Sequence, residues 1–394
     1  MIYLCIGLCH GVSLSQTLSF TIYIFLRVTL GNSVLLNLNA KIGQCFDVKM
    51  NEITEERKIL ITGISGLVGS FTARYFIKSG FQVAGLKREN SDLSLLQDIE
   101  NQIVWYEGDI LDILSLEKAI EKVNYVVHAA AIVSFAPKDR NRMFKTNVEG
   151  TINVVNLCLE KNIKKLCFVS SVAALGRKIP SENQSNHIIK INEKATWEEN
   201  EMNSNYAKTK YLAEMEVWRG QSEGLNCVIV NPSLILGESD WNKSSTQLLK
   251  YVYDEHKFYP EGNLNYVDVL DVAECIYKLT ISEISDERFI LSAGEITYKE
   301  FFEKVASRFN KEAPPTLLGK SFTGFVWRLE SIRSFFTGNA PLITKETALS
   351  SSHAFEYSND KVKKSLNFSF KDLNESLDRI CKSLSRKNQE SRKS

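Results

Sequence analysis

The stretch Ile59-Leu60-Ile61-Thr62-Gly63-Ile64-Ser65-Gly66-Leu67-Val68-Gly69 limits what this chain can fold into more than any other. Lys58 to Ile61 is a short apolar run, suited to a strand buried on both faces, as strands of a parallel sheet are. Leu67 to Ile77 continues at helical spacing. A buried strand that turns into a helix through glycines is the start of a βαβ unit. Gly63 permits the sharp turn, Gly66 lets backbone approach a pyrophosphate, and Gly69 allows close packing of helix on strand. The amides at the helix start then face the phosphates.

The chain beyond repeats the alternation. Phe81–Leu86, Gln102–Tyr106, Tyr125–Ala129, Lys165–Ser170 and Cys227–Asn231 read as strands with helical patterns between them. The expected fold class is α/β, a doubly wound parallel sheet (Rossmann) with right-handed crossovers and a smaller C-terminal substrate lobe. At 394 residues the chain can bury a core of that size. Residues 50–232 with about 262–291 are assigned to the dinucleotide-binding domain, 233–261 and 292–382 to the lobe, and 383–394 to a polar tail. The polar stretch 176–203 reads as a loop over the site.

Two further strings carry chemistry. Ser170-Ser171 ends an apolar strand, and Tyr206 and Lys210 stand one helical turn apart on the next helix. A phenol with an ordinary pKa near 10 is a poor acid or base at neutral pH unless a fixed cation stabilises its phenolate. Lys210 is placed to lower the Tyr206 pKa and to hold a cofactor ribose, while Ser171 would hold the substrate oxygen. Ser171, Tyr206 and Lys210 are therefore the candidate catalytic residues. Hydride transfer with a nicotinamide cofactor is the chemistry they suit.

The chain resembles the extended short-chain dehydrogenase/reductases, the NAD-dependent epimerase/dehydratase group, over about residues 57–290. Thr62, Gly63, Gly66 and Gly69 match its Thr-Gly-x-x-Gly-x-x-Gly string. Gly108-Asp109-Ile110-Leu111-Asp112, His128-Ala129-Ala130-Ala131, Asn147-Val148-Glu149-Gly150-Thr151, Pro232-Ser233 and Asp268 to Ala273 follow in family order. The resemblance implies cofactor contacts at Thr62, Gly63, Ser65, Gly66, Leu67, Val68, Gly69, Ile110, Ala129, Ala130, Ala131, Asn147, Tyr206, Lys210, Pro232 and Ser233. It also assigns Asp109 to the adenine. Nucleotide-sugar dehydratases carry Asp-Glu directly after the catalytic Ser/Thr, where this chain has Val172-Ala173. Epimerases often place an asparagine where Leu234 stands. Asn231-Pro232-Ser233-Leu234-Ile235-Leu236-Gly237 is closer to dihydroflavonol-reductase-like and 3β-hydroxysteroid-dehydrogenase-like proteins, which act on a carbonyl or alcohol of a fairly apolar substrate.

The second strand ends in Lys87-Arg88, with Glu89 one step later. An acid there would take the ribose 2′-OH of NAD, whereas cations suit a 2′-phosphate, so NADP(H) is the expected cofactor and NAD(H) the alternative. An apolar small molecule is the expected substrate, with Trp241, Phe258, Tyr259, Phe322, Phe325, Trp327, Phe335 and Phe336 in the lobe. A nucleotide-sugar epimerase and a non-catalytic NADP(H) sensor are the alternative functions. A net charge of +1 gives no reason to expect nucleic acid. Eight cysteines without metal spacing and five scattered histidines point to no metal site. Met50 is expected as the native start, with residues 1–49 as upstream leader and an anchor near Leu18–Leu36 as the alternative. A cytoplasmic protein is expected, as a single copy or a homodimer, with a membrane-surface helix around Phe322–Phe336 as a lesser alternative.

Overall fold

The computed structural model describes residues 57–177, 189–200, 202–241, 245–318 and 355–391, with side chains to Arg386. The leader, the anchor alternative and the aromatic helical run Phe322–Phe336 lie outside the described residues.

β1 (Lys58–Thr62) runs into α1 (Leu67–Lys78), followed by β2 (Gln82–Lys87), β3 (Ile103–Glu107), α2 (Ile113–Ile120) and β4 (Tyr125–His128). A helical stretch with one π turn comes next: α3 (Arg140–Phe144), the turn Lys145–Glu149 and α4 (Gly150–Glu160). β5 (Lys165–Val169), β6 (Ile189–Ile191), α5 (Asn205–Ser222), β7 (Cys227–Pro232), β8 (Leu234–Leu236) and α6 (Thr246–Tyr253) follow. Then come β9 (Phe258–Pro260), β10 (Asn263–Asp268), α7 (Val269–Ile281), β11 (Glu287–Leu291), β12 (Gly294–Thr297), α8 (Tyr298–Phe309) and β13 (Thr316–Leu318). β14 (Phe355–Tyr357), α9 (Asp360–Leu366) and α10 (Leu373–Ser391) close the described chain.

Seven strands form one sheet in the order β11-β7-β5-β4-β1-β2-β3, with every neighbouring pair parallel. The period of two in each strand divides the core. Ile59, Ile61, Val228 and Val230 face the side covered by α1 and α7, with Phe76 and Ile276. Leu60, Cys227 and Ile229 face the other side, with Leu116, Val154 and Val217 of α2, α4 and α5. Helices on both faces explain why the strands are apolar throughout rather than alternating. Strand order reverses between β1 and β4, and the carboxyl ends there open a crevice.

A second core gathers Leu236, Leu249, Phe301, Phe302 and Val305 against Leu377, Ile380 and Leu384 of α10. The lobe is therefore built from both sides of α7, and one arginine ties its last helix to the start of α7. Arg379 donates to both oxygens of Asp268, at 2.7 and 2.6 Å, and to Glu238. Asp268 also caps α7, accepting from the Leu270 amide at 2.8 Å.

Two boundary expectations need correction. The polar tail does not begin at residue 383, because α10 runs to Ser391 and Leu384 is fully buried; its composition is polar because only one stripe of the helix is covered. The stretch 176–203 is not loop throughout. Ile189–Ile191 pairs in parallel with Phe355–Tyr357, a partner more than 160 residues away that no local pattern announces. No helix among the described residues is long and apolar enough to cross a membrane.

Candidate active site

The glycine turn sits at the carboxyl end of β1, inside the crevice. Gly63 has φ +67°, a left-handed conformation natural to glycine, and a Cβ there would lie 2.6 Å from the backbone of Ala130. A Cβ on Gly69 would lie 2.3 Å from the Gly63 carbonyl oxygen, so the helix packs directly on the turn. Gly66 differs: only the Gly63 carbonyl oxygen, at 3.3 Å, is near, and the rest of its surroundings are open. No side chain caps the start of α1, and no acid stands in its first turn. Uncapped amides at a helix N-terminus, facing the crevice beside a bare backbone, fit a dinucleotide pyrophosphate.

Other strand ends add to the cradle. The Ser233 hydroxyl, just past β7, is buried without a hydrogen-bond partner among the described residues, a free donor of the kind a bound amide or ribose would take. Lys87 ends β2 with its amine 5.9 Å from the Trp105 ring centroid, and the Arg88 amide donates to Ser91 Oγ at 2.9 Å. One Asp109 carboxylate oxygen accepts from the Leu111 amide at 3.0 Å, closing its own turn.

Behind the cradle lies a directed chain of hydrogen bonds. The Ala130 amide donates to Thr62 Oγ1 at 3.3 Å, Thr62 Oγ1 lies 2.7 Å from His128 Nδ1, and His128 Nε2 lies 3.0 Å from Thr151 Oγ1. Thr151 spends its proton on the Asn147 carbonyl at 2.6 Å, so His128 must donate from Nε2 and accept at Nδ1 from Thr62. The imidazole is thereby fixed as one neutral tautomer. Complete burial holds its pKa down at about 3. A folded value below the unfolded value of about 6.5 means that stability is complete above pH 6.5 and is lost as pH falls toward 3. Between pH 6.5 and 5 this one group should cost about 2 kcal/mol. Urea unfolding at pH 7.5 and 5 in wild type and His128→Gln measures it; equal pH slopes in the two proteins would refute the assignment.

The Asn147 side chain is aimed inward by the π turn, a helical irregularity often found at functional positions. Its amide nitrogen donates to the Ile132 carbonyl at 2.9 Å and to Thr209 Oγ1 at 3.0 Å, and its oxygen accepts from the Ile132 amide at 2.7 Å. Both its hydrogens are spent within the protein. Asn147 therefore ties the segment after β4 to the helix that carries Tyr206.

Tyr206, Lys210 and Ser171 are brought together. Ser204 caps α5 by accepting from the Ala207 amide at 2.9 Å, which starts the helix just before Tyr206. Ser171 caps the short turn after β5, and its side chain partners the Tyr206 phenol. Burial pushes the Tyr206 pKa up to about 12, with Ser171 the group that opposes the rise. The expectation that Lys210 lowers the phenol's pKa is thus corrected. Desolvation wins, and the Lys210 amine points elsewhere, donating to the Val169 carbonyl at 2.8 Å and lying 4.3 Å from the Phe168 ring centroid. Burial pulls Lys210 itself down to about 7, and Glu214 pushes back.

Glu214, Asn231 and Arg288 were not singled out from the sequence. Glu214 has a visible signal, since Tyr206, Lys210 and Glu214 recur at intervals of four. Asn231 and Arg288 have none, because β7 and β11 bring them in from distant segments.

The comparisons agree with this geometry. The family model for the NAD dependent epimerase/dehydratase family matches residues 59–284. Cinnamoyl-CoA reductase 1 of Petunia hybrida is 27% identical over 269 residues, 65% of this chain and 78% of that protein. A putative dihydroflavonol 4-reductase of Synechocystis is 31% identical over 215 residues, 54% and 60% of the two chains. The crystal structure of gox2253 is similar with a TM-score of 0.70 and 28% identity, covering 84% of this chain and 98% of that one. UDP-glucose 4-epimerase of Thermotoga maritima has a TM-score of 0.68 at 19% identity over 84% and 99%, a likeness of fold alone. With its glycine turn, seven-stranded parallel sheet and Ser-Tyr-Lys cluster, the chain belongs to the NAD dependent epimerase/dehydratase family, as an NAD(P)-dependent oxidoreductase of the short-chain dehydrogenase/reductase superfamily.

Proposed function

We propose that this protein interconverts a carbonyl and a secondary alcohol on an apolar small molecule with NADP(H), using Tyr206 as general acid/base. The observation that carries the substrate class is an apolar wall left open beside the phenol. The Phe135 ring stands 6.1 Å from that of Tyr206, edge to face, yet Phe135 is 38% exposed and Val133, two residues earlier, 63% exposed. Apolar surface left exposed beside the phenol suits an apolar ligand and offers a diphosphate nothing for its lost hydration. Val172 and Ala173 supply no carboxyl for water elimination, and Val172 is buried in the core beneath the site. The relative named as a putative dihydroflavonol 4-reductase fits the same class.

Bound at the start of α1, the cofactor would supply or accept the hydride. The protein's own part is the proton. A phenol with a pKa near 12 stays protonated at neutral pH, as a donor to a carbonyl oxygen should. Ser171 would hold that oxygen, and Lys210 would hold the cofactor ribose beside it. Lys87 and Arg88 support the choice of NADP(H), since two cations without an acid in their place suit a 2′-phosphate.

A thermal-shift screen tests both halves. NADPH should stabilise the protein more than NADH at equal concentration, and with NADP⁺ present an apolar ketone at a hundred times its Kd should add about 2.7 kcal/mol. Stabilisation by UDP- or dTDP-sugars and none by steroid- or flavonoid-like ketones would replace this reading with the epimerase alternative. Tight NADPH binding without turnover of any carbonyl would favour a sensor.

A further inference from the structure

Glu214 is fully buried on α5, one turn beyond Lys210 and two beyond Tyr206. Its carboxyl is clamped by donors. Asn231 Nδ2 donates to one oxygen and Arg288 Nη1 to the other at 3.2 Å. Neither an amide nitrogen nor a guanidinium can accept a proton back, so the clamp is shaped for a carboxylate. Arg288 is held in turn by its other nitrogens, which donate to the carbonyls of Glu193 and Ala195. The same Asn231 nitrogen donates to the Ser171 carbonyl at 2.9 Å.

We propose that Glu214 is a positioning residue of this site: the buried counter-charge that keeps Lys210 an ammonium and, through Asn231, holds the main chain at Ser171. The physical need is plain. Lys210 is 2% exposed, lies against the Phe168 ring and, among the described residues, has one carbonyl acceptor for three hydrogens. In such a dry place an ammonium without a counter-charge gives up its proton. Beside Lys210 the His128 imidazole is neutral, so the nearest negative charge is that of Glu214; burial pushes the Glu214 carboxyl up, and the Ser170 hydroxyl, Arg288 and the Asn231 amide oppose that rise. The groups facing Glu214 are Lys210, Arg288, the Asn231 amide and the Ser170 hydroxyl. The Glu193 carboxylate accepts from the Ile290 amide at 3.0 Å and is taken up there. The role given to Lys210 rests on the function proposed above; its charge can be read without it.

The test is a pH titration of the Lys210 Cε resonance by NMR in the full-length, isotope-labelled chain, which needs neither substrate nor cofactor. Glu214→Gln should lower the Lys210 midpoint by at least one pH unit. Arg288→Gln should do the same by letting Glu214 take a proton, and it serves if Glu214→Gln does not fold. The alkaline limb of NADPH affinity should move to lower pH in step with the midpoint. A midpoint unchanged in a folded variant overturns the proposal, as does a wild-type Glu214 carboxyl signal showing the protonated form at pH 7. A wild type that turns over no carbonyl would retract the function, while the titration still decides this inference.

Discussion

Tyr206→Phe is expected to lower kcat by about 10²–10⁴ while leaving NADPH affinity within about twofold. The substitution removes the transferable proton and nothing else of consequence. The ring keeps its edge-to-face contact with Phe135, and the Tyr206 carbonyl still accepts from Thr209 Oγ1 at 2.8 Å. Ser171 loses its phenol partner, but its cap on the Ala173 amide at 3.2 Å remains. Stopped-flow turnover alongside fluorescence titration of NADPH separates the two effects. Retention of more than a tenth of wild-type kcat, a loss below about 1.4 kcal/mol, would show that the phenol is not the general acid.

Gly63→Ala should be the most damaging single-methyl change in the cofactor cradle. The new Cβ would adopt φ +67° and meet Ala130 Cα and N at 2.6 Å and the Ala129 carbonyl carbon at 2.8 Å, all of them backbone. Backbone cannot swing aside as a side-chain tip can, so β1 and β4 must part or the turn must be remade. A stability loss of about 3 kcal/mol or more is expected, with NADPH affinity falling at least a hundredfold. Gly66→Ala is the contrast. Its Cβ meets only the Gly63 carbonyl oxygen at 3.3 Å, so stability should fall by less than about 1 kcal/mol while cofactor affinity still drops, because the methyl stands on the open approach. Urea unfolding and cofactor titration of both variants decide this. If Gly63→Ala proved as stable as Gly66→Ala, the close approach of β1 and β4 at this turn would be wrong.

Together the two variants separate chemistry from architecture: one should lose turnover in an intact protein, the other the platform on which turnover depends. An NADP(H) enzyme for apolar carbonyls predicts both results. A sensor without turnover predicts only the second.

Wherever a rule acts over a few residues, the chain announced its structure. A left-handed turn needs glycine, and Gly63 marks the end of β1. Strands covered on both faces must be apolar throughout, and the strands of the main sheet that read that way are present within a residue or two of their expected bounds. Tyr206 and Lys210 share a helix face because four residues make about one turn. What depends on distant segments meeting could not be read. The order of strands brings Asn231 of β7 and Arg288 of β11 to Glu214 of α5, and no spacing in the chain encodes that meeting. The pKa of Tyr206 went the other way from expectation because it is set by how much water the surrounding elements exclude. The partner of β6 lies across an interval no periodicity spans, and Leu384 looked like part of a solvated tail until Phe302 and its neighbours were seen to cover it. Local sterics and periodicity reside in the sequence itself; burial and long-range charge pairing exist only once the chain has closed on itself, and those decide how the site works.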